Sequence, residues 1–167
     1  MKTGIVILSD RCSAGEAQDL AGPILSELVA GEGWEVAGVH LLPDDAESLS
    51  RLLRDLADEE GLGLILTSGG TGLAPRDITP EATSAVIERE IPGIPELLRR
   101  IGSEFRATAV LSRMVAGLRG GTLIVNLPGS PAALRECWPA LRAILPHAGE
   151  VASGLDLDCG RESEGGD

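Results

Sequence analysis

One loop of this chain combines glycines with a basic and an acidic side chain, a combination that suits phosphate chemistry. Its glycine-rich part follows an apolar run and consists of Gly69, Gly70, Thr71 and Gly72. Glycine adopts positive φ without a steric penalty, so the backbone N–H groups of such a loop can turn toward an anion. The loop fits neither the Walker A pattern, since no Gly-Lys-Ser/Thr follows, nor the GxGxxG fingerprint. For the glycines alone, a tight turn that binds nothing is the alternative interpretation.

Arg76 and Asp77 follow the glycines and supply one cation and one carboxylate. A bare carboxylate about 4 Å from a phosphate charge costs roughly 4 kcal/mol at an effective dielectric constant of about 20. Such an arrangement needs a counter-ion. Mg²⁺ is suitable, because it binds one or two carboxylates together with phosphate oxygens. The alternative is that Arg76 and Asp77 pair with other side chains as a surface cap.

Further acidic residues follow two other apolar runs: Asp10 comes after the first, and Asp44 and Asp45 come after the second. In a parallel sheet these carboxylates would emerge at the same edge as Asp77, which favours a metal–nucleotide site. Asp45 is expected to cap the next helix, and Asp10 is expected to form an Asx-turn. Asp44 is therefore the preferred partner of Asp77 in binding a metal.

Apolar runs and helical periodicities alternate along the chain. The runs at residues 5–8, 35–42, 62–66 and 122–127 predict strands, and residues 115–118 predict a hairpin partner for the last strand. Helices are predicted after Asp19, Asp45 and Thr79 as caps, over residues 96–105, and after the turn at residues 128–131. The pattern predicts an α/β protein, a three-layer α/β/α structure with a mostly parallel central sheet. Ligands are then expected beyond the carboxyl ends of the strands.

Composition restricts the classes of ligand and the location. With 167 residues, 43% of them hydrophobic and 24% charged, the chain is expected to form one domain over residues 1–152. Residues 153–167 are rich in glycine and acid and predict an acidic, mobile tail. The net charge of −12 argues against nucleic acid, because binding to phosphate backbones depends on clustered Lys and Arg. No apolar run is long enough to cross a bilayer, which predicts no membrane association and a cytoplasmic location.

In the sequence of these loops, the chain resembles the Mog/MoaB-type molybdopterin-binding domains. The resemblance rests on Leu66-Thr67-Ser68-Gly69-Gly70-Thr71-Gly72, Pro75-Arg76-Asp77 and Thr79-Pro80-Glu81-Ala82. It extends to residues 8–11, 13–15, 19, 22–23, 43–44, 111–113 and 126–131. It therefore covers the chain from the first predicted strand to the last helix, and only the acidic tail lies outside it. The resemblance implies the molybdopterin-binding-domain fold.

Members of this family with adenylyltransferase activity join AMP from Mg-ATP to the phosphate of molybdopterin and release pyrophosphate. The resemblance implies that Asp77 and Asp44 are the catalytic and Mg²⁺-binding residues, and the Pro-Arg-Asp sequence favours the catalytic branch. The implied substrate- and nucleotide-binding residues are Ser9, Asp10, Ser13, Gly69, Gly70, Thr71, Gly72, Arg76, Pro128, Gly129 and Ser130. The last three are expected to lie beside the pterin, and the glycines are expected to bind phosphates.

The resemblance also implies partners. Molybdopterin and ATP would be the substrates, the protein would form a homotrimer, and a molybdenum-insertion enzyme would act downstream. The alternative function is a non-catalytic molybdopterin-binding or scaffold protein of the same fold. A third hypothesis, the molybdenum-insertion enzyme itself, is disfavoured because that fold usually forms part of a longer multidomain chain.

Overall fold

The structure, a computed structural model, describes residues 1–154, so most of the predicted acidic tail lies outside the described residues. Six strands form one sheet in the order β2-β1-β3-β6-β5-β4. Their bounds are β1 Lys2–Leu8, β2 Glu35–Leu42, β3 Leu64–Ser68, β4 Arg89–Glu90, β5 Ala116–Arg119 and β6 Thr122–Leu127. The first four strands in this order are parallel, and β5 and β4 are antiparallel strands added beside β6. The predicted mostly parallel sheet and the β5–β6 hairpin are thus confirmed.

Helices cover both faces of the sheet, as the three-layer prediction requires. Their bounds are α1 Asp10–Ser13, α2 Ala21–Gly31, α3 Ala46–Arg54, α4 Thr79–Ser84, α5 Gly93–Phe105 and α6 Pro131–Ala152. A π-helical turn follows α3 at Asp55–Glu59, and a 3₁₀ turn occupies Ala107–Leu111. No helix among residues 1–154 is both long and apolar enough to span a membrane.

A mainly aliphatic core lies on each face of the sheet, because side chains along a strand alternate between the two faces. On β1, Ile5 and Ile7 pack in the core beneath α2, α5 and α6. Their neighbours Val6 and Leu8 pack on the opposite face, in the core beneath α3 and α4. All four side chains are nearly inaccessible to solvent, which explains the uninterrupted apolar run of this central strand.

The sequence predictions differ from the structure mainly at the ends of elements. The third strand begins two residues later than predicted, because Leu62 instead closes the preceding turn through its N–H, which donates to the carbonyl of Leu56. The helix predicted from residue 96 begins at Gly93. Pro95 fits its first turn, where backbone N–H groups have no intrahelical acceptor. The four-residue α1 and the two-residue β4 were not predicted, since such short elements produce no periodic pattern.

Candidate functional site

The carboxyl ends of the four parallel strands meet at one edge of the sheet. Leu8 at the end of β1 is in register with Leu42 at the end of β2. Ser68 at the end of β3 pairs with Ile7 on one side and with Leu127 on the other. The segments that leave these four strands are therefore adjacent in space, and they contain every site residue that was predicted from the sequence.

The glycines after β3 are required by their backbone geometry and by close neighbours. Gly69 has a φ of +104° and Gly70 a φ of +61°, a region that favours glycine. A Cβ on Gly69 would collide with the carbonyl oxygen of Leu8, and a Cβ on Gly70 would collide with Oγ1 of Thr79. The two turns also touch: a Cβ on Gly129 would lie 3.2 Å from Cα of Gly69. The glycine loop thus packs tightly on both neighbouring turns.

Thr79 fixes the glycine loop to the start of α4. Its hydroxyl donates to the Gly69 carbonyl at 2.8 Å, and its backbone N–H donates to the Gly70 carbonyl at 3.1 Å. The prediction that Thr79 caps α4 was wrong, because Thr79 is the first residue of that helix. Its side chain satisfies a carbonyl of the loop instead. Two hydrogen bonds therefore join the glycine loop to the start of α4.

Asp10 and Asp44 are linked by reciprocal hydrogen bonds across the β1 and β2 ends. The N–H of Asp10 donates to Oδ2 of Asp44 at 3.1 Å, and the N–H of Asp44 donates to Oδ1 of Asp10 at 3.0 Å. Arg76 adds a two-pronged contact to the Asp10 carboxylate, at 2.8 Å from Nε and 2.7 Å from Nη2. The Arg76 hydrogen bonds, and then the one from the Asp44 backbone, hold the pKa of the Asp10 carboxyl below its usual value.

The expected Asx-turn at Asp10 was therefore wrong, since its carboxylate binds groups distant in sequence. Ser9 instead caps α1 by accepting a hydrogen bond from the N–H of Cys12, and the hydroxyl of Ser13 donates to the carbonyl of Asp10. Asp45 does cap α3, as predicted, through a 2.8 Å hydrogen bond from the N–H of Ser48. Arg76 forms a surface ion pair with Asp10. This agrees with the alternative interpretation in which Arg76 pairs with another side chain of the protein.

The Asp44 carboxylate has one oxygen that lacks a partner. Oδ1 is buried and has no hydrogen-bond partner among residues 1–154. It lies beside the glycine loop, since a Cβ on Gly70 would approach it to 3.1 Å. Burial raises the pKa of the Asp44 carboxyl, and the charges of Asp10 and Asp77 add to the rise. Leaving such an atom unsatisfied is costly, so this oxygen is suited to a cation.

Asp77 is held by its own loop close to the third glycine of that loop. Its Oδ2 accepts a hydrogen bond from the N–H of Ala74 at 2.8 Å, and a Cβ on Gly72 would lie 2.8 Å from the same oxygen. Asp77 is near enough to Asp44 to act on its titration. Within residues 1–154 there is no group of three or more His, Cys, Asp or Glu side chains arranged for a metal. Asp44 and Asp77 are two carboxylates of this edge that could hold a Mg²⁺ ion together with phosphate oxygens and water.

Two cavities open at this edge of the sheet, and Gly129 lines both of them. The larger, about 380 Å³, is bordered by Thr71, Gly72 and the turn at residues 128–130. The smaller, about 240 Å³, is bordered by Ser9, Gly69 and Gly129. Ser68 joins the two turns by donating its hydroxyl hydrogen bond to the carbonyl of Pro128 at 3.0 Å. The edge can therefore seat two ligand moieties against a shared glycine wall.

Two residues of this region received no role from the sequence. Arg113 contacts both the glycine loop and the Asp77 loop. Asn126, buried on β6, donates to the hydroxyls of Thr67 and Thr83 and accepts a hydrogen bond from the N–H of Val115. Both lie in segments that contributed to the family resemblance, but only their spatial neighbours indicate what they do.

Known proteins resemble this chain over most of its length. Residues 4–147 match the family described as a probable molybdopterin binding domain. The molybdopterin adenylyltransferase of Haemophilus influenzae is 45% identical over an alignment of 174 positions that covers 95% of this chain and 87% of that protein. The Drosophila melanogaster molybdenum cofactor synthesis protein cinnamon is 42% identical over 148 residues, and the chain spans 24% of its length.

A solved structure supports the same relationship. The molybdopterin biosynthesis enzyme MoaB of Thermus thermophilus superposes with a TM-score of 0.86 at 50% sequence identity, covering 92% of this chain and 96% of that one. The predicted fold and family are thereby confirmed. The protein belongs to the family of molybdopterin-binding domains that includes the molybdopterin adenylyltransferases.

Proposed function

We propose that this protein is a molybdopterin adenylyltransferase, which transfers AMP from Mg-ATP to the phosphate of molybdopterin. An oxygen of the molybdopterin phosphate attacks the α-phosphorus of ATP and forms a new P–O bond. The bond between the α-phosphorus and the bridging oxygen to the β-phosphate breaks, and pyrophosphate leaves with the bonding electron pair. The products are adenylated molybdopterin and pyrophosphate. Several relatives of this chain are named molybdopterin adenylyltransferases, and they support this choice of reaction.

The observation that carries the proposal is the buried Oδ1 of Asp44 beside the glycine loop, which has no hydrogen-bond partner among residues 1–154. An acidic protein with a net charge of −12 repels a triphosphate unless a cation offsets that charge. Bound Mg²⁺ would supply this offset and stabilise charge on the phosphoryl group during transfer. Asp44 and Asp77 are the residues that would hold it. The hydrogen bonds from Thr79 to the carbonyls of Gly69 and Gly70 support the role of that loop in orienting phosphates.

Phosphoryl-type transfer depends mainly on alignment and charge stabilisation, so the protein needs no nucleophile of its own. The two cavities that share Gly129 support a site for two substrates, with the turn at residues 128–130 beside the pterin. Arg76 is committed to Asp10, and we propose that this pair borders the nucleotide. The homotrimer and the downstream molybdenum-insertion enzyme remain predictions from the family resemblance, and the cytoplasmic location remains a prediction from the lengths of the apolar runs in the sequence.

Pyrophosphate release tests the proposal. The purified full chain, given Mg-ATP and molybdopterin, is expected to form adenylated pterin and pyrophosphate. Asp44→Asn removes the charge at the unpartnered oxygen and should lower the rate about 100-fold or more. Asp45→Asn is the matched control, because it changes the adjacent residue while asparagine keeps the helix cap. It should leave the rate within about twofold of wild type.

The competing function is a module that binds molybdopterin without turning it over. Tight pterin binding by the wild-type chain without pyrophosphate release would favour that alternative. Equal rates for Asp44→Asn and wild type would reject the role given to Asp44. The shared cavity wall supports pterin binding in both cases, so only the chemical product separates the two functions.

A further inference from the structure

Arg113 lies in the segment between the 3₁₀ turn and β5, and it contacts both ends of the loop that carries Asp77. Its backbone N–H donates to the carbonyl of Thr71 at 2.9 Å. In its side chain, Nε donates to the carbonyl of Gly72 at 2.7 Å, and Nη2 donates to the carbonyl of Asp77 at 2.5 Å. One guanidinium group therefore connects the last glycine of the loop to the carboxylate residue five positions later.

The third nitrogen of this guanidinium is also bound. Nη1 of Arg113 forms an ion pair with Glu81, which lies in the first turn of α4. Its hydrogen bond lowers the pKa of the Glu81 carboxyl, which is mostly exposed. Because all three nitrogens have acceptors within the protein, Arg113 is engaged before any substrate arrives. This distinguishes it from an arginine that binds a substrate phosphate directly.

Between the two ends, the attachment to a part of the protein outside the loop is the contact of Arg76 with Asp10. Residues 73–76 are exposed, and the internal bonds of the loop join Ala74 and Asp77 to each other. Fixing an exposed loop costs conformational entropy at every residue, so contacts from outside the loop are needed to hold one conformation. The fork of Arg113 supplies two of these contacts at fixed separation, since a guanidinium is planar and rigid.

We propose that Arg113 is a positioning residue that sets the distance of the Asp77 carboxylate from the glycine loop, with Glu81 holding the guanidinium in place. The consequence for catalysis rests on the proposed adenylyl transfer, whereas the consequence for loop order does not. Residues that orient metal-binding carboxylates typically affect metal affinity or activity about 10- to 100-fold when they are removed.

The test compares Arg113→Gln and Arg113→Lys with a matched arginine elsewhere. Arg119 is also mostly buried, pairs with Asp58 and donates to the carbonyl of Val86. It lies away from the site, because it pairs with Thr122 at the amino end of β6. Arg119→Gln therefore removes a similar set of bonds without touching the site. Four quantities are measured for each variant: pyrophosphate release, the Mg²⁺ concentration at half-maximal rate, pterin affinity and the midpoint of thermal unfolding.

We expect Arg113→Gln to lower kcat about 10- to 100-fold and to raise the required Mg²⁺ concentration, with pterin affinity unchanged. Arg113→Lys should recover thermal stability, since the charge beside Glu81 is kept, but not kcat, since lysine lacks the fork. Arg119→Gln should lose stability with kcat unchanged. If kcat falls in Arg119→Gln as much as in Arg113→Gln, the role of Arg113 is merely structural and the proposal is overturned.

Amide hydrogen exchange of the substrate-free chain supplies a readout that does not depend on turnover. Exchange at residues 72–78 should be faster in Arg113→Gln than in wild type and unchanged in Arg119→Gln. Unchanged exchange in Arg113→Gln would overturn the positioning role. A wild-type chain that released no pyrophosphate would reject the proposed reaction, and the exchange comparison would still decide whether Arg113 orders the loop.

Discussion

Cavities lie at both the amino and the carboxyl ends of the parallel strands, but among residues 1–154 only the carboxyl ends have a buried polar side-chain atom without a partner. At the amino ends of the strands, a cavity of about 400 Å³ is bordered by Met1, Trp34 and Glu150. At the carboxyl ends, the two cavities are no larger, at about 380 and 240 Å³. There, however, Oδ1 of Asp44 is buried without a partner among residues 1–154.

The comparison shows that the volume of a cavity does not indicate whether the polar atoms around it have hydrogen-bond partners. The buried hydroxyl of Thr122, near the amino-end edge, is satisfied by donating to the carbonyl of Leu62 at 2.6 Å. Among residues 1–154, the buried side-chain polar atom without a hydrogen-bond partner is Oδ1 of Asp44, at the carboxyl-end edge. Matched variants at the two ends of the strands test whether function depends on the carboxyl ends alone.

The largest effect is expected from the carboxylates. Asp77→Asn keeps the size of the side chain but removes the charge, so pyrophosphate release should fall about 100- to 1,000-fold while pterin affinity is unchanged. Glu150→Gln makes the same chemical change at the opposite edge and should leave turnover as in wild type. Steady-state pyrophosphate release and equilibrium pterin binding would be measured for both. A similar loss of turnover in the two variants would remove the distinction between the edges.

A smaller effect is expected from an added methyl group. Gly70→Ala places a side chain at a φ of +61° and against Thr79 and Asp44. The strained backbone alone should cost about 1–2 kcal/mol of unfolding free energy, and the displaced Asp44 should also slow turnover. Gly63→Ala is the control, because its Cβ would meet Met1 at an ordinary 3.5 Å. Urea unfolding would compare the two, and equal stability would contradict the tight packing of the glycine loop.

The smallest effect is expected in the pH dependence of folding stability, through the Arg119–Asp58 ion pair near the amino ends of the strands. The Arg119 hydrogen bonds lower the pKa of the Asp58 carboxyl, which in turn raises the pKa of Arg119. A carboxyl whose pKa is depressed in the folded state contributes stability above its unfolded pKa, and that contribution is lost as pH falls through the folded pKa.

Arg119→Gln should therefore return the Asp58 pKa upward toward its ordinary value of 3.8. The stability difference from wild type should be present at neutral pH and should shrink on acidification, while turnover at neutral pH stays the same. Thermal unfolding at a series of pH values and a carboxyl NMR titration would measure both. A stability difference that grows toward low pH would have the wrong sign for this ion pair.

Much of the fold was predictable because it depends on short-range patterns. The apolar run of residues 5–8 predicted a strand, and in β1 the neighbours Ile5 and Val6 pack in opposite cores. Asp45 was recognisable as a cap because its partner is only three residues away. The ends of elements were less predictable, as at Thr79, whose hydroxyl binds Gly69 rather than its own helix.

The candidate site was predictable in its members but not in its pairings. The parallel order of β2, β1, β3 and β6 brings Asp10, Asp44 and the glycine loop to one edge, and an α/β pattern is sufficient to expect that. Which groups bind each other was not predictable, since Asp10 and Arg76 are 66 positions apart. The role of Arg113 was missed for the same reason, because its acceptors belong to a loop that precedes it by 36 to 41 positions.

The sequence by itself determined the alternation of strands and helices, the glycines and acids that follow the strands, and the family to which the chain is similar. These properties depend on side-chain type and local spacing. The tertiary structure decided that Arg76 neutralises Asp10, that Arg113 spans the Asp77 loop, and that one oxygen of Asp44 is left without a partner among residues 1–154. Burial and hydrogen bonding are properties of neighbours in space, and the neighbours were set by the order of the strands in the sheet.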